Sequence, residues 1–340
     1  MSKLLRIGYF GSDLFSINCL KRILPLHLDR PQAIAHIDVI TRAPKPSGRG
    51  LNHLKEVPIA EFARQNGLPV LRADKKSDFA ALQQHQYDLC IAVSYGKLIP
   101  SSFLQSLPFG GLNVHPSLLP SYSGPAPLQR ALLDEISLTG VTVQTLHPTK
   151  FDEGAILANA EYRILEDETF SSLTERLSER GGNLLREILE QGAFDPKAPA
   201  YHVLRSDHPY SYAQKIHSNE RQIDWSKYTS FNVVRRFNTL GPLYTFKTFH
   251  PRKARDEIRL RRIVLEDVAE CPDQLLSDLL PPGSYDTDDV GSSLLVKTVN
   301  GTIKIRSVNI EGLGSVAGSK IVKSSKRMFG NADKQFITDV

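Results

Sequence analysis

The sequence predicts an α/β protein, with a doubly wound, mostly parallel sheet in the first part and a small β-barrel in the second. Three observations carry this. Strand-like apolar runs alternate with amphipathic helical stretches from Leu5 to about Ile188, the pattern of a parallel sheet with helices on both faces. From Leu243 onward, short strand-like runs are broken by Gly, Asp and Asn turns, as in a small barrel. At 340 residues the chain also exceeds the usual size of one domain. The expected division is a first domain over 1–200, a linker over 195–209, a second domain over 207–323 and a loose tail over 324–340.

Leu5 to Phe10 reads as the first strand and leads through Gly11-Ser12-Asp13 to an amphipathic helix ending near Leu24. Ser12 or Asp13 can cap that helix by accepting from its first free N–H groups. The sequence Gly8-Tyr9-Phe10-Gly11-Ser12 lacks the three-glycine dinucleotide spacing, which excludes NAD binding on that motif. Ala33 to Thr41 is the next strand. Residues 42–57 are rich in Pro, Gly and basic side chains, and composition alone makes them a mobile surface loop. Pro58 to Asn66 is helical, with Pro in the first turn and Gly67 past the end. Ser77 to Gln86 is a capped helix, and Leu89 to Val93 is a strand apolar on both faces.

Residues 111–115, Gly-Leu-Asn-Val-His, form a further strand in which Asn113 and His115 share a face. Pro116, Pro120, Gly124, Pro125 and Pro127 then impose an irregular loop. An amide and an imidazole at a strand end before a rigid loop suit a ligand site, although a buried strand before a Pro-rich turn has the same pattern. A helix from about Ala126 to Glu135, the strand Val141 to Leu146 and a long helix through Phe170, Leu173, Leu177, Leu184 and Ile188 complete the first part. Later strands are expected at 243–249, 258–265, 294–298 and 302–308, with Asn300-Gly301 as a hairpin turn. Trp225 is the single tryptophan and a core anchor.

The totals fit a soluble globular chain, with 41% hydrophobic and 23% charged residues. No apolar run approaches the roughly 18–20 residues of a membrane span. Cys19, Cys90 and Cys271 lie far apart, which speaks against a disulfide framework or a zinc site, and no metal is expected. Residues 1–203 hold 21 Lys+Arg and 21 Asp+Glu, whereas residues 204–340 hold 21 and 16. The +5 net charge therefore sits in the second part, and seven basic residues fall between Lys247 and Arg262. That asymmetry suits a polyanionic partner, or simply a solvated basic face.

Asn113-Val114-His115-Pro116-Ser117-Leu118-Leu119-Pro120 followed by Gly124 resembles the signature of the folate-dependent formyltransferases. The continuation Gly124-Pro125-Ala126-Pro127-Leu128-Gln129 is closer to the branch that acts on methionyl-tRNA than to the purine branch. The resemblance implies a catalytic set of Asn113, His115 and Asp152, the last from Lys150-Phe151-Asp152-Glu153-Gly154. It implies a folate site along Ser117, Leu118, Leu119 and Pro120, with Tyr95 and Gly96 flanking the pterin. It also implies that Gly48-Arg49-Gly50 is the core of an inserted loop whose Arg49 meets the acceptor stem. Arg42, Lys45, Lys247, Arg252 and Lys253 are then further RNA contacts. The second domain is expected to be a barrel of the oligonucleotide-binding kind, opened by Ala213-Gln214-Lys215-Ile216 and Ile223-Asp224-Trp225-Ser226.

The implied activity moves the formyl group of 10-formyltetrahydrofolate, as co-substrate, to the amino group of initiator methionyl-tRNA. Such a reaction needs a donor for the developing oxyanion (Asn113), a cationic or proton-giving imidazole (His115) and a carboxylate that takes the ammonium proton (Asp152). The alternatives are formylation of a nucleotide-linked amino sugar, hydrolysis of formyltetrahydrofolate, and RNA binding on a non-catalytic scaffold. The family opening Gly-Thr-Pro-x-Phe is replaced by Gly11-Ser12-Asp13-Leu14-Phe15. Leu51-Asn52-His53 stands where lysines are common, and Ser121-Tyr122-Ser123 where Arg-x-Arg is usual in bacterial relatives. The last departure points to a mitochondrial member. The sequence enters a strand almost at once with no Arg/Ser-rich leader, so the bacterial cytoplasm is the alternative. A monomer is expected.

Overall fold

The computed structural model describes residues 4–29, 33–47, 50, 52–251, 257–271, 276–330 and 333–338. The chain forms two compact units, Met1–Lys215 and Ile216–Val340. In the first, the chain order is β1 (Leu5–Gly11), α1 (Leu14–Leu28), β2 (Ile34–Thr41), β3 (Lys45–Ser47), β4 (His53–Lys55), α2 (Pro58–Gln65), β5 (Val70–Arg72) and α3 (Lys76–Leu82). There follow β6 (Leu89–Val93), α4 (Ser101–Gln105), β7 (Gly111–His115), α5 (Pro127–Leu133), β8 (Leu138–Thr145), β9 (Ile156–Arg163) and α6 (Phe170–Gln191).

The main sheet has seven strands in the order β5-β2-β1-β6-β7-β8-β9. Its first five strands run parallel, β8 is antiparallel to β7, and β9 is antiparallel to β8 and so runs with the first five. Successive side chains of one strand point to opposite faces, and both faces are covered. Ile7, Tyr9, Leu89, Ile91 and Val93 join one apolar cluster with α1 and α6. Phe10, Cys90 and Ala92 join another with Phe79 and Phe103. This two-sided burial explains why β1 and β6 read as continuous apolar runs. The chain leaves β1 toward β2 on one side and meets β6 on the other, so the crevice at their carboxyl ends is the sheet's switch point.

Asp13, not Ser12, caps α1 by accepting from the Ser16 amide at 3.1 Å. The stretch 42–57, expected to lack regular structure, carries the small antiparallel hairpin β3–β4. Short elements β5, β9 and α4 were not expected, because each is too short or too polar to show a period. The segment expected as a linker belongs to the first unit, where the Leu204 amide donates to the Ile156 carbonyl at 2.8 Å.

In the second unit the order is α7 (Ser230–Leu240), β10 (Leu243–Phe249), β11 (Arg259–Cys271), β12 (Tyr285–Thr287) and β13 (Leu294–Lys297). Then come β14 (Thr302–Ile310), β15 (Gly314–Ala317), α8 (Lys320–Lys323) and α9 (Ser325–Phe329). The strands form a curled antiparallel sheet, β10-β11-β14-β13-β12, with β15 paired to β14. The expected hairpin lies between β13 and β14, but its Thr298 amide bonds the Gly301 carbonyl at 2.9 Å, so the turn centres on Val299-Asn300. Trp225 is buried and donates its indole N–H to Thr245 Oγ1 at 2.8 Å. The expected loose tail is instead packed, because Phe329 and Phe336 are buried and the Phe336 ring stacks on Trp225. An isolated apolar residue per turn gives no periodic signal, yet each fills a pocket of this core.

Lys247 is 0% exposed, with its ammonium bonded to the Asp333 carbonyl and lying 5.2 Å from the Tyr285 ring centre. It points into the unit because it sits at an inward position of β10, so it cannot serve as the RNA contact expected of it. Burial pulls its pKa from 10.5 down to about 8. Below pH 8 the charged lysine carries its full burial penalty; between the two values the unfolded chain holds the extra proton, so stability rises with pH across that window. The rise should amount to roughly 3 kcal/mol. Chemical denaturation from pH 7 to 10.5 is expected to show it in the native chain and not in Lys247→Met.

Candidate active site

The strand β7 delivers Asn113 and His115 to its carboxyl end, with Leu112 and Val114 turned to the opposite, apolar face. Antiparallel β8 lies beside it in a register that puts Gln144 opposite Asn113 and Thr142 opposite His115. The chain leaving β8 turns through residues 146–155 and returns in β9, carrying Asp152 back to the same edge. That turn is tightly constrained. A Cβ on Gly154 would fall 1.7 Å from the Thr145 carbonyl oxygen, so only glycine fits, and Asp152 adopts a left-handed φ of 55°.

His115 Nδ1 lies 3.3 Å from Asp152 Oδ1, and the two side chains are only 7% and 11% exposed. The other carboxylate oxygen accepts from the Gly124 amide at 2.8 Å. His115 Nε2 lies 2.9 Å from the Tyr122 carbonyl. Both ring nitrogens thus face oxygen atoms.

Asn113 donates one amide hydrogen to the Ala92 carbonyl at 2.9 Å and accepts at Oδ1 from Gln144 Nε2 at 3.1 Å. The buried Gln144 in turn accepts at Oε1 from the Gly154 amide at 2.9 Å. These bonds fix which way the Asn113 amide faces and leave its second N–H for the cleft. Gln144 carried no motif, and only the β7–β8 register reveals it.

These residues border a cleft of about 750 Å³ that also takes in Tyr95, Gly96, Lys97, Ile99 and Leu104. A Cβ at Gly96 would meet no atom within 4 Å, so this wall is open to a flat ligand. Burial raises the Tyr95 hydroxyl above the ordinary tyrosine range, and it donates to the Ala73 carbonyl as a neutral group. Ser117, Leu118 and Leu119 do not line the cleft. They are buried under β8, where Thr142 Oγ1 donates to the Ser117 carbonyl at 2.7 Å and accepts from the Leu119 amide at 3.1 Å. Pro120 is also outside the lining; the loop contributes Pro116, Ser123, Gly124, Pro125 and Pro127 instead.

Among the residues expected to meet RNA, Lys45 is exposed on the β3–β4 hairpin, paired in register with Lys55. Arg42 is half-buried, and its carbonyl accepts from Arg72 at 2.8 Å. Arg49, Arg252 and Lys253 lie outside the described residues. In the second unit Arg261 stacks 4.0 Å from the Phe249 ring centre and Arg262 3.8 Å from that of Tyr244, so part of the basic run is engaged within its own fold.

The model of the formyl transferase family matches residues 10–189. The mitochondrial methionyl-tRNA formyltransferase of Saccharomyces cerevisiae is 33% identical, over 86% of this chain and 82% of its own. The human mitochondrial enzyme of the same name is 29% identical over 90% and 74%. That of Thermus thermophilus is 33% identical over 76% and 80%. Among solved structures, HypX from Aquifex aeolicus in complex with tetrahydrofolic acid superposes with a TM-score of 0.57 at 14% identity, over 96% of this chain and 48% of that one. A sugar 3N-formyltransferase solved with dTDP and 5-N-formyl-THF gives 0.53 at 14% identity, over 89% and 98%. These two share the fold. With a family model spanning more than half of its length and relatives a third identical across most of it, the chain belongs to the formyl transferase family.

Proposed function

We propose that this chain transfers the formyl group of 10-formyltetrahydrofolate to the amino group of initiator methionyl-tRNA, as a monomer and in the mitochondrion. The observation that carries the reading is the convergence of Asn113, His115 and Asp152 at one end of a single cleft. Relatives bearing the name methionyl-tRNA formyltransferase, two of them mitochondrial, match both parts of the chain and support the acceptor and the compartment. One chain supplies the whole catalytic set, in keeping with a monomer. The folate donor fits the open wall at Gly96 and the apolar floor of Ile99 and Leu104. The exposed Lys45 and the basic stretch around Arg49 serve the tRNA backbone.

Formyl transfer joins a carbon–nitrogen bond to the acceptor amine, breaks one to the donor nitrogen and moves one proton from the first to the second. Asp152 takes the proton of the acceptor ammonium, directly or through water, so that a neutral amine attacks. The formyl oxygen gains charge as it does so, and the free N–H of Asn113 meets it. One such preoriented donor lowers a barrier by about 3–4 kcal/mol. His115, facing Asp152 and Tyr122 O, supplies positive charge beside that oxygen. Its Nε2 hydrogen, held on Tyr122 O, passes to the leaving nitrogen; the attacking nitrogen sheds its second proton to water, and exchange with water returns Asp152 and His115 to their starting states.

Single-turnover transfer from labelled donor, with charged initiator tRNA and with deacylated tRNA, tests the reading. Formyl-methionyl-tRNA is expected only with the charged form; equal deformylation without tRNA would make the protein a hydrolase. Asn113→Ala is expected to lower kcat on the order of 100-fold to 1,000-fold with the KM for tRNA nearly unchanged. A loss confined to KM would contradict the role given to Asn113.

Gln144 acts as a positioning residue through Asn113. Gln144→Met is expected to lower kcat about tenfold, the effect of one lost orienting hydrogen bond. Gln144→Glu should lose less as pH falls relative to the native chain, because only a protonated carboxyl can both donate to Asn113 and accept from Gly154. A pH-independent ratio of variant to native turnover would remove Gln144 from the mechanism.

A further inference from the structure

The mouth of the cleft carries exposed aromatic rings that neither the formyl transfer chemistry nor the core requires. Tyr210 is 68%, Tyr212 61% and Phe151 58% exposed, and all three border the cleft that holds Asp152. The two tyrosines stand on a strap stitched to the loop after β7. The Ser123 amide donates to the Ser211 carbonyl at 3.0 Å and the Ala213 amide to the Ser123 carbonyl at 2.7 Å. The Ser211 hydroxyl accepts from the Tyr122 amide at 2.8 Å. With Ser211 turned inward, Tyr210 and Tyr212 share the outward side. Their backbone is fixed while their rings meet solvent, which spares a ligand the entropy of ordering them.

Tyr212 is also placed against the reactive edge. A Cβ on Gly124 would come within 2.7 Å of Tyr212 Cε2, so the ring rests on Gly124, the residue whose amide bonds Asp152 at 2.8 Å. A ring next to that amide reaches whatever lies one group beyond the acceptor amine.

We propose that Tyr210 and Tyr212 form a stacking seat for the terminal adenine of the aminoacyl acceptor. This rests on the methionyl-tRNA reading. There the amino acid is esterified to the terminal ribose, so an amine at Asp152 brings that ribose and its base to the cleft mouth. An unpaired base meets proteins chiefly by stacking on aromatic faces. The seat reads the unpaired end of the acceptor, independently of any contact to its paired stem, and Phe151 is a third exposed ring bordering the same cleft.

The full-length native chain, Tyr210→Ala, Tyr212→Ala and Tyr212→Phe are compared, with thermal melting to confirm that each folds. Tyr212→Ala is expected to raise the KM for methionyl-tRNA about tenfold, leaving the KM for the donor unchanged, and Tyr212→Phe to behave as native. In parallel, titration calorimetry follows binding of a CCA trinucleotide and of the same trinucleotide with an abasic 3′ end. The native chain should prefer the intact trinucleotide, and both alanine variants should lose that preference. The calorimetry decides the seat even if the native chain forms no formyl-methionyl-tRNA, an outcome that would sink the parent reading alone. Equal binding of both trinucleotides by the native chain, or a rise in the KM for the donor only, would overturn the seat. The latter would assign the rings to the donor's aromatic tail.

Discussion

The antiparallel register between β7 and β8 is the constraint on which the site depends. It sets Gln144 opposite Asn113 and directs the chain into the turn that returns Asp152 to His115. Because side chains alternate faces, a one-residue slip would turn Gln144 into the apolar layer and strip Asn113 Oδ1 of its donor. The register is held by more than ladder bonds. Val141 and Val143 are fully buried among residues of α6, and Thr142 ties the loop after β7 to β8 from the other face. The packing that fixes the sheet therefore also fixes the amide, the imidazole and the carboxylate, a coupling that preorganised sites require.

The Ser117–Pro120 stretch illustrates how a signature can be structural. Ser117, Leu118 and Leu119 are buried beneath β8 and hold the loop's path, Pro120 is half-buried, and the residues that reach the cleft lie on either side. The conformation of the loop then presents Tyr122 O to His115 and the Gly124 amide to Asp152, so its influence on the chemistry is exerted through backbone groups. Backbone donors and acceptors have no residue identity, so a reading by residue type does not show which of them face the site.

Much of the first unit was legible because β1, β2, β6 and β7 are buried on both faces and show as apolar runs, and because α6 keeps a helical period over its whole length. The edges were not. β9 is half-buried or exposed everywhere but Leu157, β5 has three half-buried residues, and α7 opens on polar residues that disguise it. In the second unit, Phe329 and Phe336 close the core from a stretch that composition marks as a tail, and Lys247 is drawn inside by a strand position that its charge argues against. That Asn113 and His115 share one strand face was readable from alternation alone. Asp152 was not, since its partner lies across a sheet edge and only the family resemblance joined them. Gln144 was invisible for the same reason, with no resemblance to supply it.

The His115–Asp152 pair sits where charge separation has large consequences. With both side chains nearly buried, water screens them little; each faces the other at 3.3 Å and has one hydrogen bond to a backbone group. Truncating either partner leaves the other desolvated and unpaired, a cost that commonly exceeds the net worth of the pair itself. Loss of stability is therefore expected at these two positions alongside the loss of turnover that the proposed mechanism predicts. At Asn113 the two are separable, because its carboxamide is neutral and its neighbours Ala92 O and Gln144 need only a single hydrogen bond each replaced. Asn113 is for that reason the cleaner probe of the reaction, and the pair is the cleaner probe of how the fold holds a charge in place.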